Sequence, residues 1–270
     1  MNIVFCVDDH FTLPCAVALK SLAAANSAPM KIHVVSAQSP AARARIETLG
    51  ARLGLALAIA PFDRDLPFHN VVMYGKATDS AYARIFIAEI FPELERCLYL
   101  DADILCRKPL DPLWNTALGS DILGAALDPT FFGDEPFLEI FGGRYFNSGV
   151  LLMDLARWRE AGMTQRVVDA VHVFESQALP HQYWDQSPLN LAFRGAFRTL
   201  APRWNMSIHH RPEMHRFFGC SAEDFEVQRA DPAIFHFLGN EKPWRPGCSV
   251  RNSHFDHWHG LEKALDRDGR

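Results

Sequence analysis

The chain has 270 residues, 49% of them hydrophobic and 22% charged. That is enough apolar material for a sizeable core, and it excludes a disordered chain. The formal net charge of -5 gives no general attraction to nucleic acid, so none is expected as a partner.

Asn2 to Val7 is a short apolar run stopping at Asp8-Asp9, the pattern of a buried strand. Thr12 is placed to cap a helix with Pro14 in its first turn and Val17, Leu19 and Leu22 along it. Lys31 to Ser36 reads as a second strand, Ser39-Pro40 opens a helix through Leu49, and Leu55 to Ala60 reads as a third strand. Ser80 to Phe91 carries Ala81, Ile85 and Ala88 at helical spacing, with Pro92 as the stop. Arg96 to Leu100 is a strand ending at Asp101. Asp121 to Leu127 and Ser148 to Leu152 read as strands, Leu155 to Phe174 as one amphipathic helix, and Ile234 to Leu238 as a short apolar run. The alternation predicts an α/β fold, a Rossmann-like, mainly parallel central sheet with helices on both faces and an irregular C-terminal part. Residues 1–250 are expected to form one domain and 251–270 a short C-terminal tail.

The longest apolar-looking stretch, Leu53 to Ala60, stops at Pro61, far short of the ~20 residues that span a bilayer. The first residues lack a basic leader, so no signal peptide is expected. The six cysteines form no CxxC pair and read as reduced thiols. A cytoplasmic protein is the expectation, with at most peripheral contact at the inner face of a membrane.

Asp-X-Asp occurs three times, as Asp63-Arg64-Asp65, Asp101-Ala102-Asp103 and Asp266-Arg267-Asp268. Only the middle copy ends a strongly apolar strand. Residues two apart on an extended segment point to the same side, so both carboxylates can face one point above the sheet edge. Two carboxylates without a counter-charge cost free energy. A divalent cation would offset that cost and neutralise a diphosphate bound across it. The ordinary alternative is a turn in which one Asp caps local amides.

Phe235-His236-Phe237-Leu238-Gly239-Asn240-Glu241-Lys242-Pro243-Trp244 supplies context. A lone His between aromatics is more often a core residue than a ligand. Here it is followed by Gly239, which lets backbone approach a ligand, and by Lys242, a point charge suited to phosphate. Two carboxylates and an imidazole suit Mn²⁺, with Mg²⁺ as the alternative.

Three other signals stand out. His254-Phe255-Asp256-His257-Trp258-His259 reads as a solvated or loosely packed segment in preference to a second metal site. His209, His210 and His215, with Arg211 and Arg216, read as an exposed basic loop; contact with an anionic partner is the alternative. Phe131, Phe132, Phe137, Phe141 and Tyr145 surround Gly133, Gly142 and Gly143, which suggests a flap over a sugar site as well as core packing. GxGxxG, Walker A, HExxH and GxSxG patterns are all missing, which removes the main support for oxidoreductase, P-loop, zincin and serine hydrolase readings.

Taken together, these segments resemble glycosyltransferase family 8. The likeness starts at Ile3-Val4-Phe5-Cys6-Val7-Asp8-Asp9 and continues through Tyr82-Ala83-Arg84, Leu98-Tyr99-Leu100-Asp101-Ala102-Asp103 and Tyr145-Phe146-Asn147-Ser148-Gly149-Val150-Leu151-Leu152. It takes in Trp184-Asp185-Gln186 with Leu189-Asn190, then Trp204-Asn205, and ends with His236 through Trp244. The resemblance implies a GT-A fold and a retaining, Mn²⁺-dependent transfer of galactose or glucose. The donor would be a UDP-sugar and the acceptor a hydroxyl of a glycan or glycolipid, as in the bacterial lipooligosaccharide and lipopolysaccharide α-galactosyl- and glucosyltransferases. It further implies that Asp101, Asp103 and His236 hold the metal. Asp8, His10, Arg84, Asn147, Ser148, Gly239 and Lys242 would bind the donor, and Asp128 and Tyr183 would line the acceptor side. Gln186 would lie near the anomeric carbon, with Asp185 as the fallback nucleophile. This chain has His10 where relatives often have Asn, and Ser187 where the closest have a further Asp. A metal-dependent UDP-sugar hydrolase and a non-catalytic UDP-sugar-binding protein are the alternatives.

Overall fold

The computed structural model describes residues 1–62, 79–176 and 183–267. The Asp63-Arg64-Asp65 copy lies outside them, as does Asp268 of the third copy. The strands are β1 (Asn2–Val7), β2 (Lys31–Ser36), β3 (Ala56–Pro61), β4 (Arg96–Leu100), β5 (Ile104–Cys106), β6 (Leu123–Leu127), β7 (Phe146–Asp154), β8 (Arg198–Thr199) and β9 (Ile234–His236). The helices of the first half are α1 (Thr12–Ala25), α2 (Pro40–Arg52), α3 (Asp79–Ala83), α4 (Ile87–Ile90), α5 (Asp111–Trp114) and α6 (Glu135–Ile140). Those of the second half are α7 (Leu155–Glu160), α8 (Met163–Ser176), α9 (Gln186–Phe193), α10 (Ala222–Ala230) and α11 (Ser253–Arg267).

The main sheet runs β3-β2-β1-β4-β7-β6-β8. Only β7 runs against its neighbours; the other pairings are parallel. The sheet is therefore mainly parallel, as the alternation predicts. Successive side chains go to opposite faces. On β4, Cys97 and Tyr99 join a core with Ile85, Ile87, Trp158 and Val167, whereas Leu98 and Leu100 join another with Cys15, Leu19, Leu22 and Ile46. Both faces are covered, which is why the strands read as continuous apolar runs.

Several expectations are corrected. Asp8, not Thr12, does the capping before α1: its carboxylate accepts from the amides of His10 and Phe11 in a 3-10 turn, and the helix already includes Thr12. The single helix over Ser80 to Phe91 is instead α3, a 3-10 turn at Arg84–Phe86, and α4. The break falls at Arg84, whose Nε folds back onto the Ala81 carbonyl at 3.0 Å. The single helix over Leu155 to Phe174 is interrupted at Gly162, which takes a φ of 60°.

The segment expected to be loosely packed is the helix α11. Phe255 and Trp258, three residues apart and so on one face, are fully buried against Val17, Leu105, Phe235 and Phe237. His254 stacks on Phe235, and its Nδ1 meets Arg107 at 2.8 Å. The flap is not supported either. Phe131, Phe137, Phe141 and Tyr145 are buried together with Phe174 of α8, and the Phe131 and Phe137 rings stack with centroids 3.9 Å apart. Gly142 serves close packing, because a Cβ there would meet the Arg194 carbonyl oxygen at 2.3 Å. In the basic loop, His210 is buried against Phe218 and accepts from the Ser207 amide.

Candidate active site

Beyond β4 the chain passes through Asp101 and Asp103 into β5, which pairs antiparallel with β9. That ladder sets Ile104 opposite His236 and so carries an imidazole from the far end of the sequence to the acidic pair. The backbone holds it there: the His236 amide donates to the Met206 carbonyl at 2.7 Å, and the Phe237 amide donates to the Asp103 carbonyl at 3.0 Å. His236 Nε2 lies 3.0 Å from Asp103 Oδ1 and 3.5 Å from Asp101 Oδ2. One ligand atom from each of the three residues falls within 4.8 Å of the others, and among the described residues no second such group occurs.

Gly149 of β7 makes the room. A Cβ there would lie 2.1 Å from His236 Cε1 and 2.7 Å from Asp101 Oδ2. The donor set fits a divalent cation. Two hard carboxylates and an imidazole nitrogen converge on one point, and a backbone without a side chain leaves it clear.

Among the described residues two cations meet this acid cluster. Arg84 is buried and bridges Asp101 and Asp185, with 3.0 Å to each. Its Nη1 donates to the Ser148 carbonyl at 2.9 Å, and the guanidinium lies over the Tyr99 ring. Lys242 bonds Asp103 and the Phe237 carbonyl. Burial works against ionisation of Asp103, but Lys242 and His236 outweigh it and hold the carboxyl well below the usual range. Burial pushes Asp185 up to about 6, against the pull of Arg84 and with the help of Asp101.

Asp128 directly follows β6 and is buried. It accepts from Asn147 Nδ2 and Gln186 Nε2, both at 3.0 Å. The Gln186 carbonyl oxygen accepts from the Ser148 amide at 3.0 Å. Asn147, Ser148, Asp185 and Gln186 thus form one buried network behind the triad. Tyr183 is half-exposed, its ring edge-on to Phe131.

Three expected donor residues stand apart from this network. Asp8 sits at the end of β1 and accepts from Ser80 Oγ at 3.1 Å. The His10 side chain is 86% exposed. Gly239 takes a φ of 72°, and a Cβ there would meet His209 Nε2 at 3.3 Å. Two residues given no role in the sequence reading join the site. Tyr99 donates to Asp101 Oδ1 at 2.6 Å, and Asn205 Oδ1 lies 2.8 Å from His236 Nδ1. The Tyr signal was visible, because Tyr99 of β4 stands two residues before Asp101, which directly follows the strand.

The model of glycosyl transferase family 8 matches residues 2–248. The chain belongs to that family. A crystal structure of the galactosyltransferase LgtC in complex with donor and acceptor sugar analogues superposes on this family 8 chain with a TM-score of 0.77. The two are 28% identical, over 98% of this chain and 96% of that one. The fold is therefore the GT-A fold, as the resemblance implies. General stress protein A of Bacillus subtilis is 26% identical over 90% of this chain and 87% of its own length. A probable galacturonosyltransferase-like protein of Arabidopsis thaliana, number 7 of its series, is 30% identical over 179 residues. The matched region is 60% of this family 8 chain but only 47% of that relative. No helix among the described residues is long and apolar enough to cross a membrane.

Proposed function

We propose that this glycosyltransferase moves galactose or glucose from a UDP-sugar to a hydroxyl of a glycan or glycolipid, with retention at the anomeric carbon and dependence on Mn²⁺. The supporting observation is the meeting of Asp101, Asp103 and His236 over Gly149, with Lys242 and Arg84 beside them. Family membership and the likeness to LgtC point the same way. Asp101, Asp103 and His236 would hold the metal. Once bound, the ion would supply positive charge to a diphosphate whose bond to the sugar is lengthening. Lys242 supplies a second charge for the same diphosphate.

Retention needs either two inversions or attack on the face of departure. The protein's residues favour the second. Gln186 is an amide and a poor nucleophile. Asp185 is paired with the Arg84 guanidinium, whose positive charge lowers the carboxylate's nucleophilicity. In a same-face reaction the leaving phosphate oxygen can take the acceptor's proton, so no protein base is required. Gln186, held by Asp128 and Ser148, would stabilise positive charge on the sugar with the lone pair its carbonyl has left. His10 and Gly239 are assigned to the ribose and diphosphate ends of the donor, Asp8 to the uridine, Asn147 and Ser148 to the sugar, and Asp128 and Tyr183 to the acceptor side.

The test is a panel of UDP-sugars with Mn²⁺ and glycan acceptors, scored for UDP release and for product configuration by NMR. UDP release that Asp103→Ala abolishes, with an α-linked product from one donor, is the expected result. Free sugar with every acceptor would favour a hydrolase, and silence toward every donor would favour a binding protein. A covalent sugar on Asp185 would overturn the same-face route.

A further inference from the structure

The metal histidine has two ring nitrogens, and only one can face a cation with a lone pair. Which one does so is decided by a chain of buried side chains whose polarity has a single solution. Asp128 is a carboxylate and can only accept, so the group 3.0 Å from its Oδ2 is the amide NH₂ of Asn147. The Asn147 carbonyl oxygen then faces the Gly149 N–H at 3.0 Å, a backbone donor that cannot turn round and so fixes the same orientation independently. That oxygen also accepts from Asn205 Nδ2 at 2.8 Å. Asn205 must therefore present its own carbonyl oxygen to His236 Nδ1, 2.8 Å away. An oxygen there requires an N–H at Nδ1, which leaves Nε2 to carry the lone pair toward Asp101 and Asp103. All four side chains are buried, so water does not compete for these bonds.

We propose that Asn205 is a positioning residue: locked by Asn147 and Asp128, it holds His236 in the tautomer that lets Nε2 bind the cation. Asp128 is thereby the common anchor of two arms, one running to His236 and the other directly to Gln186. This rests on the metal reading above and adds to it the group that sets the imidazole's orientation.

The test compares two variants by calorimetric titration with Mn²⁺ alone, without nucleotide or turnover. Asn205→Leu and Asn205→Asp both lose the bond to Asn147, but only the Asp variant keeps an oxygen for Nδ1–H. The Leu variant is expected to bind Mn²⁺ about 10–100-fold more weakly, and the Asp variant to stay near wild type. Equal losses in the two, or none in the Leu variant, would overturn the positioning role while leaving the metal reading intact. A wild type that binds no Mn²⁺ would overturn the metal reading and this role with it. Should the variants fail to fold, ¹⁵N NMR of histidine-labelled wild type loaded with Mg²⁺ decides the matter, with His236→Gln identifying the resonances. Protonated Nδ1 is the expected result, and protonated Nε2 with bare Nδ1 would refute it.

Discussion

Gly149→Ala is the sharpest test of the site, because it adds one methyl group in the middle of a buried strand and leaves every polar residue in place. The new Cβ would stand 2.1 Å from His236 Cε1 and 2.7 Å from both His236 Nδ1 and Asp101 Oδ2. Ordinary contact begins at 3.4 Å, so the ring must retreat by about 1.3 Å. Coordination distances tolerate only ~0.2 Å, so a displaced imidazole is a lost ligand. The loss in Mn²⁺ affinity should be at least the ~10–100-fold that loss of a supporting contact costs. The crowding itself should cost about 1–3 kcal/mol of folding stability, a Tm lower by roughly 2–12 °C. Titration calorimetry with Mn²⁺, beside thermal unfolding of the same samples, measures both. Val150→Ala is the control: Val150 is the next residue on β7 and packs into the opposite core, so it should lose stability and keep the metal. Wild-type Mn²⁺ affinity in Gly149→Ala would refute the placement of the cation over this glycine.

Lys242→Gln should weaken UDP binding yet leave Mn²⁺ alone bound as tightly as in wild type or more so, because Asp103 loses its internal counter-charge; separate titrations with metal and with UDP check this, and parallel weakening would contradict it. Gln186→Ala should slow turnover while leaving UDP affinity nearly unchanged, measured by steady-state kinetics beside UDP titration. Burial lowers His210 from 6.5 to about 4, so the folded state binds fewer protons there than the unfolded chain. Its stabilisation is complete above pH 6.5 and is lost as pH falls toward 4, by up to about 3 kcal/mol; urea unfolding at several pH values should show a shallower acid loss in His210→Gln.

The central strands were legible because burial on both faces leaves them uniformly apolar, and β1, β2 and β4 lie where the runs of hydrophobic residues begin and stop. The strand β7 extends further than its apolar stretch suggests, since Asn147 is a polar residue whose hydrogen bonds are satisfied inside the protein. Helix interruptions were not legible. Arg84 lies at a break while its side chain reaches Asp101 and Asp185, partners that no local spacing reveals. The burial of α11 depends on a surface assembled from α1, β5 and β9, so a segment this near the end of the chain reads as solvated where the fold supplies Phe235 and Phe237. The acidic pair could be read from one strand and its turn. The third member of the triad could not be placed by spacing, because His236 arrives through a ladder with β5 more than a hundred residues away.

Charge balance explains why these parts belong to one device. Asp101, Asp103 and Asp185 converge at the end of the sheet with Asp128 behind them, and among the described residues Arg84 and Lys242 are the cations that answer them. Arg84 is shared between two carboxylates, Lys242 is committed to Asp103, and among the described residues Asp128 accepts from amides. Burial raises Asp185 to about 6 despite its guanidinium partner, and the neighbouring Asp101 carboxylate adds to the rise. A divalent cation would offset the carboxylates' charge but would then compete with Lys242 for Asp103. A diphosphate would resolve the competition by giving the ammonium another anion to meet. Metal and nucleotide should therefore bind more tightly together than either does alone, by the same factor whichever is added first. Titrating Mn²⁺ with and without UDP measures that factor. A value of one would mean that Lys242 never leaves Asp103, and that the second positive charge must come from elsewhere in the chain.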